Sequence, residues 1–182
     1  MDLFCRASNA CFNYNKVDAF SISGRDTSRF WGRLLQDMHI PHLHTVKDPD
    51  PLIYLGFPLI QCTQQRTNFV TAFVRKLKQG LQVHTGRSLS VVGRATVVNT
   101  LLLSKCWYIL RVTPFTQRDL ARIQSVAIQF LKQGIFPVIP WTTWTLPRSQ
   151  GGLGILDVKL QYAALYFRWV QPLLAMEPST PP

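Results

Sequence analysis

The spacing of apolar residues changes character near residue 60. Upstream the pattern is short and mixed. "AFSIS" (Ala19–Ser23) predicts a short strand ended by Gly24. Asp26 or Thr27 is placed to cap a helix through Asp37, with Phe30, Trp31, Leu34 and Leu35 on one side. Pro49 and Pro51 then break the chain. "LIYLGFPLI" (Leu52–Ile60) is β-rich, and its central Gly56 marks a kink or a close backbone approach.

Downstream the period is helical. In Arg66–Val83, Phe69, Val70, Phe73, Val74, Leu77 and Leu81 fall on one face, with Arg75 and Lys78 on the other. A second helix is predicted from Ser88, as its cap, to Leu110; it is apolar nearly all round and so central. Its polar exceptions Arg94 and Lys105 stand 11 residues apart, close to three α-helical turns, which places them on one face. A third helix starts at Thr116, where Thr116 and Asp119 resemble a capping box. Leu120, Ile123, Ala127 and Phe130 face inward, Arg118, Arg122 and Lys132 outward, and Gly134 ends it. A stiff Pro- and Trp-containing segment follows. A last helix over Val158–Leu174 carries Leu160, Ala164, Phe167 and Leu174 on one side, and the tail "EPSTPP" is expected to be disordered.

Charge sharpens this picture. The 182 residues are 47% hydrophobic, enough for a buried core, and carry a formal net charge of +11. Residues 1–50 hold six bases and six acids, so residues 51–182 hold fourteen bases against three acids. A folded, acid-poor, basic region suits a polyanion, nucleic acid being the commonest; the plainer alternative is a merely basic domain. The cysteines (Cys5, Cys11, Cys62, Cys106) form no C-x-x-C pair and suit free thiols. No secretory pattern opens the chain, and the apolar run Leu101–Leu110 contains Lys105 and is too short for a bilayer. The expectation is an intracellular protein, nuclear or cytoplasmic, with no membrane partner.

Four patterns invite a chemical reading. "SQGGLGILD" (Ser149–Asp157) packs three glycines into four residues. Its spacing is not G-x-G-x-x-G, no clear strand precedes it, and no Lys-Ser or Lys-Thr follows, so a backbone turn outweighs a phosphate loop. "HIPHLH" offers His39, His42 and His44, but no nearby Cys or acid pair completes a tetrahedral metal set. Asp48 and Asp50 flank a proline as turn residues do. The aromatics Trp107, Tyr108, Trp141, Trp144, Tyr162, Tyr166 and Trp169 interleave with bases, which fits either base stacking or, more commonly, core packing.

Four motifs in order then resemble the C-terminal part of reverse transcriptases of non-LTR (LINE-type) retrotransposons, most like those of mucoralean fungi. "SNACFNYNK" ends in Asn13-x-x-Lys16, like the segment after the catalytic hairpin. "YLGFPL" (Tyr54–Leu59) resembles the primer-grip hairpin. "SLSVVGRATVVNTLL" (Ser88–Leu102) is similar to the thumb signature L-S-x-x-G-R, and "WTLPRSQGGLGILD" (Trp144–Asp157) to the W-x-x-P…G-G-L-G…D stretch beyond the thumb. Val17 after Lys16, and Lys132 after "FL", depart from many relatives.

The resemblance implies an α+β fold, mostly α: short palm-remnant strands, then a helical thumb bundle. It implies residues 1–60 as palm end, 61–134 as thumb, and 135–182 as a connecting segment with the glycine turn. It implies Tyr54, Leu55 and Gly56 near the primer end, Arg75, Lys78, Arg94 and Lys105 on phosphates, and Lys16 as a proton-transfer lysine. Against these stand a plain kink at Gly56, a buried scaffold salt bridge for Arg94 and a solvated Lys16. Intact enzymes of this family hold Mg²⁺ between carboxylates and bind RNA template and DNA primer. This chain has no Asp-Asp pair and no complete metal set. The expectation is therefore a polymerase fragment without activity of its own, with the rest of the palm and fingers as a further partner. A stand-alone RNA- or DNA-binding module and a remnant of a decayed element are the alternatives.

Overall fold

The computed structural model describes residues 6–8, 17–23, 25–40, 42–135 and 138–175. The whole Asn13-x-x-Lys16 segment, Lys16 included, and the "EPSTPP" tail lie outside them. The fold is α+β and mostly helical, with four short strands and one intervening helix ahead of the long helices. The chain forms two compact units, Met1–Phe69 and Val70–Pro182.

In the first unit, β1 (Asp18–Phe20) pairs in parallel with β2 (His42–His44), and α1 (Ser28–Asp37) connects them. The strand at "AFSIS" stops three residues earlier than expected, because Ser21 turns its hydroxyl to the Arg25 carbonyl and joins a hydroxyl cluster with Ser23 and Thr27. Neither expected cap acts conventionally. Thr27 stands at the N-cap without a side-chain bond, while Asp26 accepts from the Ser28 amide (3.0 Å) and hydroxyl (2.5 Å). The apolar side of α1 faces solvent: Phe30, Trp31 and Leu34 are exposed and no residue of the helix is buried.

β3 (Leu52–Tyr54) and β4 (Phe57–Leu59) form the hairpin expected around Gly56. Both turn residues take positive φ, Leu55 at 49° and Gly56 at 83°, the two-residue pattern that suits strand twist. Polar contacts hold this unit. Gln65, fully buried, accepts from the Gln61 amide (2.9 Å) and donates to the carbonyls of Thr45 (2.9 Å) and Asp48 (3.1 Å). Gln61 in turn donates to the Ser21 carbonyl. No large apolar side chain described in this unit is fully buried.

Helix α2 (Thr63–Thr85) leaves the first unit and supplies one wall of the second. There Val70, Leu77 and Leu81 are buried, as the pattern predicts, and Arg75 and Lys78 are exposed. Next comes an unbroken helical rod: α3 (Val91–Val97), a π-helical stretch (Val98–Leu103) and α4 (Ser104–Leu110). Its cap is Ser90, not Ser88: the Ser90 hydroxyl accepts from the Gly93 amide at 3.1 Å. The rod buries one side (Ala95, Val98, Leu102, Leu103, Cys106, Ile109, Leu110), while Val92, Leu101 and Tyr108 stay exposed, so it is central on one side only.

The π stretch has a visible local cause. Thr96, Thr100 and Ser104, one turn apart in sequence, each donate a hydroxyl to the carbonyl four residues back. Such back-bonding competes with the backbone ladder and distorts helices. Burial of Cys106 in this rod pushes its thiol up to about 12, so it packs as a small hydrophobe.

Helix α5 (Gln117–Leu131) has the predicted capping box, with Asp119 accepting from the Thr116 amide (3.0 Å) and Thr116 from the Asp119 amide (3.2 Å). Leu120, Ile123, Ala127 and Phe130 are buried, and Gly134 ends the segment at φ 74°. Helix α6 (Trp141–Thr145) and a 3-10 turn (Arg148–Gln150) lead to α7 (Val158–Ala175). Helix α7 packs on α4 and α5. The side that carries Leu160, Phe167 and Leu174 is the outer one: all three are exposed, and Val158 is buried. The Tyr162 hydroxyl accepts from the Phe115 amide at 3.1 Å and so turns that side of α7 inward.

Candidate nucleic-acid interface

Three of the four candidate phosphate contacts are exposed, and the fourth is tied to the scaffold. Arg75 and Lys78 project from α2 and Lys105 from α4. Arg94 is half-buried and donates to the Leu131 carbonyl (2.9 Å) and the Gln133 carbonyl, the open end of α5. A cation there neutralises carbonyls that lack helical partners.

The expectation that Arg94 and Lys105 share a face fails. It assumed 3.6 residues per turn throughout, and six of the intervening residues are π-helical. Arg94 borders a polar recess with Arg87 and Ser88, whereas Lys105 sits against α2 beside Lys76, Gly80 and His84. Sequence reasoning did not single out Lys76, and its only signal was its place between Arg75 and Lys78.

The second unit has 13 Lys and Arg against three Asp and Glu, a net +10, and the first a net +1. Both described acids of the second unit serve as caps. Asp119 closes the capping box of α5. Asp157 accepts from the amides of Lys159 and Leu160 (2.9 Å each) and from the Trp141 indole (2.6 Å). Burial pushes the Asp157 carboxyl up, but the Leu160 amide, the Trp141 indole and the Lys159 amide together outweigh it and hold the group below its ordinary value. Hydrogen bonding does not cancel a carboxylate's charge, and the net +10 already counts both acids.

The glycine segment is scaffolding. Gly151 (φ 82°) and Gly154 (φ 64°) take left-handed backbone, and a Cβ on Gly152 would stand 2.0 Å from the Leu146 carbonyl oxygen. Amides of Gly152, Leu153, Gly154 and Ile155 donate inward to the carbonyls of Pro147, Trp144, Leu146 and Trp144. Amides so engaged cannot cradle a phosphate.

The primer-grip candidates Tyr54, Leu55 and Gly56 form the tip of the β3–β4 hairpin in the first unit, with Tyr54 and Leu55 largely exposed. In the same unit His42 and His44 both approach Asp48, at 3.7 and 3.9 Å. The Thr45 amide (2.7 Å) holds the Asp48 carboxyl below its ordinary value, against the effect of burial, with His44 adding to it. Among the described residues no group of three His, Cys, Asp or Glu can hold a metal ion, so the residues present do not fit a Mg²⁺ site. No described helix is long and apolar enough to cross a membrane.

Over 91 residues, half of the chain, the sequence is 34% identical to the uncharacterized 149 kDa protein of transposon TX1 from Xenopus laevis. The chain spans 7% of that protein's length. The similarity supports a transposon-related origin for this sequence. No protein-family model matches the chain, and no solved structure does.

Proposed function

We propose that the chain is the palm edge and thumb of a LINE-type RNA-directed DNA polymerase, and that its second unit holds the RNA template and DNA primer by their phosphates. The carrying observation is the net +10 of that unit with both described acids engaged as helix caps. Arg75, Lys78 and Lys105 are the phosphate contacts, and Arg94 supports them by fixing the end of α5. Tyr54–Gly56 and Lys16 belong to the catalytic side in this reading, where Mg²⁺ and its carboxylates come from another part of the polymerase.

A polymerase fragment is favoured over a self-sufficient binding module by the first unit. Among the described residues its two-stranded parallel sheet has unpaired edges, and α1 shows its apolar side to solvent. Parallel strands ordinarily lie covered on both faces. Such surfaces suit contact with the remaining palm. Transposon-related origin is consistent with either a working polymerase part or a decayed copy.

Binding of an RNA·DNA hybrid compared with the same sequence on an uncharged peptide backbone tests the reading. The hybrid binds and the uncharged analogue does not. Equal affinity for both overturns phosphate recognition.

A further inference from the structure

Within the second unit, α2 and α5 border a cleft of 290 Å³. Its floor is apolar and buried: Leu81, Val126 and Phe130. Its rim carries three exposed polar groups, Lys78 and Gln82 from α2 and Gln129 from α5. One end is closed where the Gln133 carboxamide donates to the Thr85 carbonyl at 3.0 Å.

The chemistry of this cleft is mixed in a particular way. Among the described residues the carboxamides of Gln82 and Gln129 have no partner and Lys78 has no ion pair. A cleft for a lone phosphate needs no apolar floor. A cleft for an apolar side chain leaves two carboxamides and an ammonium unused. Its volume equals about ten waters, well beyond a single phosphate. Ring, hydrogen-bonding edge and negative charge occur together in a nucleotide. A carboxamide offers one donor and one acceptor, which match a base edge, adenine's above all. A lysine head matches a phosphate as a point charge.

We infer that this cleft takes one unpaired nucleotide of the bound strand. The base lies on Leu81, Val126 and Phe130, Gln82 and Gln129 read its edge, and Lys78 meets its phosphate. This rests on the nucleic-acid reading above and adds base recognition to it. Apolar side chains serve as surfaces for unstacked bases in proteins that extrude a nucleotide.

The test uses the full chain with four single-stranded homopolymer RNAs and a blunt RNA·DNA hybrid, each titrated across salt by fluorescence anisotropy. The wild type prefers one homopolymer, adenine being expected, and Gln82→Ala and Gln129→Ala each remove about fivefold or more of affinity for it. Neither substitution changes the salt slope or the affinity for blunt hybrid, because no charge is lost. Gln129→Glu keeps the shape but removes the donor, and shifts the preference away from adenine. Equal wild-type affinity for all four homopolymers overturns the pocket while leaving phosphate binding intact. So does binding that both alanine variants leave unchanged. Failure of the wild type to bind any nucleic acid overturns the proposed function and the pocket together.

Discussion

The carboxamide of Asn99 pairs with the glycine segment at both of its ends: Nδ2 donates to the Gly154 carbonyl at 2.9 Å, and Oδ1 accepts from the Leu156 amide at 3.2 Å. Asn99 stands in the π-helical stretch, and Gly154 opens the path into α7. One side chain thus completes the backbone bonding of a loop 55 residues away. Replacing Asn99 with Asp keeps the shape and the acceptor but loses the donor and sets a carboxylate against a carbonyl. We expect Asn99→Asp to lower stability by about 1–3 kcal/mol in denaturant unfolding. An unchanged midpoint would mean that the loop is held elsewhere.

Glycines 151 and 152 separate two kinds of constraint. Gly151 has left-handed backbone and open space, so Gly151→Ala costs about 1–2 kcal/mol. Gly152 has ordinary φ, but its Cβ would lie inside the Leu146 carbonyl. Gly152→Ala must displace backbone, and its loss should exceed that of Gly151→Ala clearly. The reverse order, measured by thermal unfolding, would contradict the packing of this turn.

Much of this was legible beforehand, because the rules involved are local. The Thr116–Asp119 box, the stop at Gly134 and the kink at Gly56 each follow from a few adjacent residues. So does the scaffold reading of Gly151–Gly154, since the phosphate-loop spacing is missing. The π stretch was not legible: over six residues its pattern cannot be told from 3.6 periodicity, and the row Thr96, Thr100, Ser104 was its only trace. Nor was the orientation of α7. Leu160, Phe167 and Leu174 form a consistent stripe, but Tyr162 on the opposite side bonds to the Phe115 amide, a choice made by tertiary contact. Of the site, the basic face of α2 could be foreseen, whereas the engagement of Arg94 by two carbonyls 37 and 39 residues away could not.

That engagement separates Arg94 from its fellow candidates. Arg94→Ala should cost about 1.5–3 kcal/mol of stability, the range for hydrogen bonds from a charged group. It should leave the salt dependence of binding nearly unchanged. Ala at Arg75, Lys78 or Lys105 should do the opposite, each lowering the salt slope by about one with little effect on unfolding. A slope change at Arg94 comparable to the others would return it to the phosphate-contacting set.

Asp157 makes the joint between Trp141 and α7 sensitive to acid. Its carboxyl is held below 3.8 in the folded chain, so its contribution is complete above that value and drains away as pH falls below it. Between about pH 5 and about pH 3 the wild type should lose more stability than Asp157→Asn. Parallel losses would show that the carboxylate contributes nothing to folding.

Leu55 adopts φ 49° at the exposed hairpin tip, a conformation that Asn takes more readily than a branched apolar residue. Leu55→Asn should therefore raise stability by about 0.5–1 kcal/mol. If stability instead falls, Leu55 is held by packing, and the tip carries no strain that primer contact would explain.

The central claim is that the second unit grips nucleic acid through its phosphates. A salt titration of binding to a B-form DNA duplex tests it most directly, because each contacted phosphate contributes roughly −0.9 to the log–log slope. With Arg75, Lys78 and Lys105 engaged, the slope should reach about −2.7 or steeper. A flat dependence, with affinity unchanged across salt, would contradict the account.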